Sequence, residues 1–152
     1  MSFGISLVNA KLDYALRAVV DLAMQSHNNA SQSREIAARQ KIPGPYLDQI
    51  LAELKRAGIV RSVRGAGGGY LLNRSPALLS VGEVLRAFTG SDPADLDDIN
   101  TDSFDPSATS VVTKFRVRLE RSVAHLLETT YISDFVNEKL RYEDTQSFMP
   151  NL

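Results

Sequence analysis

Apolar residues recur along this chain at spacings that predict a series of short helices, one hairpin and one long helix. From about 9 to 26, Leu12, Leu16, Val19, Val20 and Ala23 fall on one helical face, and His27-Asn28-Asn29 closes the segment. Ser31 or Ser33 is placed to cap a second, short helix containing Ile36, Ala37 and Ala38. Ile42-Pro43-Gly44-Pro45 then forces a break and presets the first turn of the next helix. In that third helix, Leu47, Ile50, Leu51 and Leu54 stand at i, i+3, i+4 and i+7, while Tyr46, Gln49 and Glu53 lie off the stripe. Gly58 supplies the left-handed stop.

The period then changes. Ile59 to Arg64 and Tyr70 to Leu72 have strand character on either side of the run Gly65-Ala66-Gly67-Gly68-Gly69, which predicts a hairpin with a five-residue tip. Ser80 and Glu83 form the two ends of a capping box, flanked by Leu79 and Val84 as a hydrophobic staple. A fourth helix follows, with Val84, Leu85 and Phe88 inward and Gly90 at its end. From about 110 to 128, Val112, Phe115, Leu119, Val123, Leu126 and Leu127 draw a long apolar stripe that a neighbouring element or a second subunit must cover. Thr130 is placed to cap a last short helix with Ile132, Phe135, Val136 and Leu140, and the polar end from Tyr142 to Leu152 reads as frayed.

Three helices followed by a hairpin with a narrow tip is the order of a winged helix-turn-helix. The predicted fold is mainly α with a small β-hairpin wing and a long C-terminal dimerisation helix. The predicted organisation is a winged domain over 1–90, an acidic loop over 91–109, the long and short helices over 110–140, and a flexible tail over 141–152.

Charge sharpens this picture. The whole chain has 17 Lys and Arg against 18 Asp and Glu, a net of -1. Residues 1–75 hold 10 bases and 5 acids, a net of +5, and residues 76–152 hold 7 and 13, a net of -6. The basic half suits a polyanionic partner. Six aspartates (Asp92, Asp95, Asp97, Asp98, Asp102 and Asp105) crowd the stretch from Ser91 to Thr109, which contains no base. They lack the glycine and terminal glutamate of a calcium loop.

On a winged helix, the third helix is sized for the major groove, and a glycine tip lets arginine-bearing arms approach a phosphate backbone or minor groove. The candidate DNA-binding residues are Ser33, Arg34, Tyr46, Gln49, Arg61, Arg64, Gly65, Gly67, Gly68, Gly69 and Tyr70. The glycine run is neither a dinucleotide fingerprint nor a P-loop, because no Gly-Lys-Ser/Thr follows it and no apolar helix opens from it. The sequence lacks a nucleophile elbow and a metal-ligating histidine pair. With His27 and His125 its only histidines, it offers nothing from which to build an enzyme. A winged helix that binds proteins rather than DNA rests on the same physics and is the alternative reading.

Several segments together resemble the Rrf2 family of bacterial transcriptional regulators: KLDYALR at 11–17, REIA at 34–37, PYLDQIL at 45–51, LKRAG at 54–58 and VRGAGGGYL at 63–71, with SVGEV at 80–84 and TYISDFV at 130–136 further on. The resemblance covers residue 7 to about 140. It implies a homodimer that binds pseudo-palindromic promoter DNA, with a recognition helix beginning near Pro45, a wing from Val63 to Tyr70, and a dimer interface along Val112, Phe115, Leu119, Val123, Leu126 and Leu127.

Many members of that family hold an iron–sulfur cluster on three cysteines in the loop before the long helix. Here the corresponding stretch is the aspartate-rich one, and the chain has no cysteine. Asp13 stands where some members place an acidic ligand, but without thiolates it has no cluster to complete. The expectation is therefore a regulator with no cofactor, which leaves open a small-molecule or protein effector. The space between the winged domain and the long helix is left open as a place for a ligand pocket. No apolar run approaches the length of a membrane span, and no secretory signal is evident, so a cytoplasmic location is expected.

Overall fold

The computed structural model describes residues 10–25, 28–89 and 106–147. The acidic stretch from Asp92 to Asp105, His27 and Gly90 lie outside the described residues.

The elements follow in the order α1 (Ala10–Met24), α2 (Ser33–Gln40), α3 (Gly44–Arg56), β1 (Val60–Val63), β2 (Gly69–Leu72), a 3-10 turn (Pro76–Leu78), α4 (Val81–Thr89), α5 (Pro106–Thr129) and α6 (Ile132–Ser147). The fold is a winged helix with two further helices. One apolar core serves most of it. Leu12, Val19, Ile36, Leu47, Ile50, Leu51, Leu54, Ile59, Val60, Leu79, Val84 and Ile132 are buried together, drawn from α1 to α4, the first strand and the start of α6. The predicted stripe of α3 is wholly inside, and each side chain of that size contributes about 1.5–3 kcal/mol by leaving water.

Local capping contacts bound α2, α3 and α4, not always at the residues the spacing favoured. Neither serine proposed as the cap of α2 fills that role. The Ncap position is Gln32, whose backbone N–H donates to Glu35 Oε2 at 2.9 Å. Lys41 takes the left-handed conformation after α2, at φ 54°. α3 ends as expected, with Gly58 at φ 75°. The box at α4 is complete: Ser80 N–H donates to Glu83 Oε2 at 3.0 Å, and Glu83 N–H donates to Ser80 Oγ at 3.2 Å. Burial pushes the Glu83 carboxyl up, but the Ser80 backbone N–H and the Arg74 guanidinium together outweigh that and hold it below its ordinary value.

The hairpin is antiparallel with Val60 opposite Leu72, Arg61 opposite Leu71, Ser62 opposite Tyr70 and Val63 opposite Gly69. Gly69 therefore belongs to the strand, one residue earlier than the alternation suggested. Tyr70 also pairs on its other side with Ser31 through a single antiparallel bridge, which ties the two-stranded wing to the segment before α2.

The long helix starts at Pro106 and the last one reaches Ser147, so helix continues past Tyr142 into the segment expected to fray. Thr130 does not cap α6. Its hydroxyl donates to Leu126 O at 2.7 Å, while Tyr131 N–H donates to Asp134 Oδ2 at 2.8 Å and fills the capping role. The corner between α5 and α6 is sewn to the start of α4 by Val81 N–H to Thr130 O and Ile132 N–H to Leu79 O, both 2.9 Å.

Candidate nucleic-acid interface

Burying Leu47, Ile50, Leu51 and Leu54 turns the opposite side of α3 outward. That exposed face carries Pro45, Asp48, Gln49, Ala52, Lys55 and Arg56. Gln49 is where the spacing placed it. Tyr46 is not on this face: it is half-buried against the core, and its ring meets Tyr14 edge-on at 5.5 Å between centroids. Glu53 also turns aside, forming an ion pair with Lys11 of α1 at 2.9 Å. Ala52, Lys55 and Arg56 were missed, although continuing the helical spacing from Gln49 by three, six and seven residues reaches all of them. Ala52 leaves the middle of the face low, and the two cations lie in the last turn.

Around this helix, Arg34 is exposed on α2. The Ser33 hydroxyl, expected to donate outward, donates to Asp48 Oδ1 at 2.5 Å and ties the start of α2 to α3. Lys41, in the turn between the two helices, is exposed and was not foreseen.

The wing divides into an exposed tip and a buried root. Gly65, Ala66 and Gly67 are exposed, with Gly65 and Gly67 at φ 96° and 75°. Arg61 and Arg64 are exposed on the arms. Gly68 is buried, and a Cβ there would stand 2.4 Å from Val63 O. Gly69, at φ 146°, would drive a Cβ to 2.4 Å from Ser31 O, and Tyr70 packs on the core. Gly68, Gly69 and Tyr70 therefore shape the wing from inside, whereas Gly65 and Gly67 lie at its open end.

The proposed interface stripe on α5 is only partly covered. Val112, Phe115 and Leu126 are 66%, 64% and 65% exposed, and Val111, not foreseen, is 69% exposed. Leu119, Val123 and Leu127 are intermediate, and Leu127 packs on the core. α5 is fastened near its C-terminal end, where Arg86 of α4 pairs with Glu128 beside Gly82. A cavity of about 320 Å³ lies between α1, the end of α2 and α6, lined by Leu16, Arg17, Val20, Gln40, Phe135 and Lys139 among others. It flanks α6 rather than the long helix, and so is not the space between the winged domain and α5.

Among the described residues, no three His, Cys, Asp or Glu side chains gather as metal ligands, and His125 is exposed on α5. No helix among them is long and apolar enough to cross a membrane.

Residues 8–138 match the family model Rrf2, described as an iron-dependent transcriptional regulator. The chain is 43% identical over 82 residues to the HTH-type transcriptional regulator IscR of Cereibacter sphaeroides, covering 53% of each protein. It is 40% identical over 80 residues to IscR of Erwinia tasmaniensis, covering 53% of this chain and 48% of that one. The chain spans about half the length of the curated relatives it matches. Among solved structures, IscR of T. potens aligns with a TM-score of 0.67 at 32% identity, over 87% of each chain. CymR, the global cysteine regulator of B. subtilis, aligns with a TM-score of 0.74 at 24% identity, over 86% of this chain and 96% of that one, a likeness of fold. Iron in the family's description meets a donor set without a thiolate, since the sequence has no cysteine. These residues do not fit a thiolate-held iron–sulfur cluster.

Proposed function

The chain belongs to the Rrf2 family of transcriptional regulators, and we propose that it works in the cytoplasm as a homodimer that reads pseudo-palindromic duplex DNA. The observation that carries this reading is the outward face of α3, with Gln49, Ala52, Lys55 and Arg56 exposed beside a wing whose Arg61 and Arg64 are also exposed. A helix face of this kind suits the major groove, and charged arms suit the flanking phosphates. The net of +5 over residues 1–75 adds long-range attraction for a polyanion.

The dimer is supported by Val111, Val112, Phe115 and Leu126, which leave apolar surface in water on one helix. A two-fold pair of such helices would bury it and present two reading heads, which is what a pseudo-palindromic site requires. With no thiolate to hold a cluster, the control signal is a small molecule or a partner protein rather than an iron–sulfur centre.

Selection of duplexes from a random or genomic pool, paired with sedimentation of the same sample, tests the reading. The expected result is a dimer at micromolar concentration that enriches an inverted repeat. A dimer that enriches no duplex would favour a winged helix devoted to protein contacts, and a monomer would remove the α5 interface.

A further inference from the structure

Asp21 of α1 is the one carboxylate residue buried among the described residues, at 3% exposure, and it has no place in the reading face or the wing. Its carboxylate is fully engaged. Arg39 donates from Nε to Oδ1 and Oδ2 at 3.0 and 3.2 Å and from Nη2 to Oδ2 at 2.7 Å, and Gln40 Nε2 donates to Oδ1 at 3.0 Å. The same Arg39 Nη2 also donates to Ser31 Oγ at 2.8 Å. Ser31 in turn exchanges two backbone bonds with the wing, its N–H donating to Tyr70 O at 3.0 Å and Tyr70 N–H donating to Ser31 O at 2.7 Å. Gly69 lets the strand come this close, because any Cβ there would meet the Ser31 carbonyl.

These bonds make one connected path from the last turn of α1, through the C-terminal end of α2, to the root of β2. The path joins the two parts that must contact a duplex together: the α2–α3 pair and the wing. A planar two-pronged pair specifies direction as well as attraction, and a buried ion pair is a poor source of net stability compared with apolar packing. Arg39 has 38% of its side chain exposed, yet its guanidinium is turned inward onto Asp21. The hydrogen bonds it donates to Asp21 hold it above its already high ordinary pKa.

We propose that Asp21 is a positioning residue for DNA binding: through Arg39 and Ser31 it sets the wing at a fixed angle to α2 and α3, so that Arg61 and Arg64 meet phosphates while α3 is seated. This rests on the DNA-binding reading above, and the test separates the two.

In the full chain, Asp21→Asn and Ser31→Ala are each made alone and on an Arg61→Ala/Arg64→Ala background. Amide exchange of Ser31 and Tyr70 is followed together with binding to a duplex enriched by the wild-type chain. The expected result is exchange about tenfold faster at Ser31 and Tyr70, with the amides of Leu51 and Leu54 unchanged. Affinity falls about tenfold in the wild-type background and by less than about twofold where the wing arginines are already absent. Arg39→Lys, which keeps the charge and loses the fork, is expected to behave like Asp21→Asn. An equal loss in both backgrounds, an acceleration spread over the whole core, or full affinity in Arg39→Lys would overturn the proposal. Should Asp21→Asn fail to fold, Ser31→Ala decides alone, because it leaves the Asp21–Arg39 pair in place. If the wild-type chain enriches no duplex, the DNA reading is what fails, and the exchange data still report whether this path holds the wing.

Discussion

α3 and α5 carry the same kind of apolar stripe and meet opposite ends. In α3, Leu47, Ile50, Leu51 and Leu54 are all 0% exposed, because α1, α2, α4 and β1 close over them. In α5, Val112 and Phe115 remain 66% and 64% exposed, and the helix is held mainly where Leu127 and Glu128 meet α4 and the core. A periodic stripe therefore states that a face must be covered without stating by what. The short helix finds its cover within the chain, and the long one leaves much of its stripe in water, the face on which the proposed dimer would close.

The comparison breaks most sharply at Leu51. Leu51→Ala opens a cavity in the closed stripe and is expected to cost about 2–5 kcal/mol, read from the urea or thermal midpoint. Phe115→Asp, on the open stripe, is expected to leave the helical signal intact while weakening self-association by about 2 kcal/mol, roughly thirtyfold in the dissociation constant from sedimentation. If Phe115→Asp instead unfolded the chain as Leu51→Ala does, the contrast between the two helices would be lost.

The exposed wing arms come next. Arg61→Ala with Arg64→Ala is expected to lower duplex affinity about tenfold and to flatten the slope of log affinity against log salt by about 2, without moving the unfolding midpoint. An unchanged slope would take both arginines off the phosphates.

The smallest effect concerns the Glu83 box that opens α4. Its folded-state carboxyl is held below the ordinary value, so it adds stability above an unfolded pKa of about 4.3, and that stability is lost as pH falls through the folded value. Glu83→Gln is expected to lower stability by about 0.5–1 kcal/mol at neutral pH and to reduce the acid-side loss, as measured by unfolding between pH 3 and 6. A steeper acid-side loss in Glu83→Gln would reverse the sign assigned here.

The helix order, the α3 stripe, the Gly58 stop, the α4 box and the hairpin were all readable from the chain because each depends on neighbours within a few residues. Several departures from the expected placement fall where a side chain had a distant alternative. Ser31 was a reasonable cap until Tyr70 drew its backbone into the wing, and Ser33 was a reasonable outward donor until Asp48 came within reach. Tyr46 fits an outward face by spacing, but Tyr14 on another helix offers its ring an edge-on partner. In each case a contact distant in sequence outcompeted the local choice.

Local periodicity, capping pairs and glycine placement by themselves determined that this chain makes a winged helix followed by an amphipathic arm, and the lack of cysteine determined that no thiolate cluster completes it. Only the tertiary structure decided which polar residues remain facing outward, that the wing is rooted on Ser31, and that Arg39 turns its guanidinium onto the buried Asp21. The physical reason is range: backbone propensity and apolar spacing act over one or two helical turns, whereas the competition for hydrogen-bond partners and buried space is settled among residues that meet only once the chain has folded.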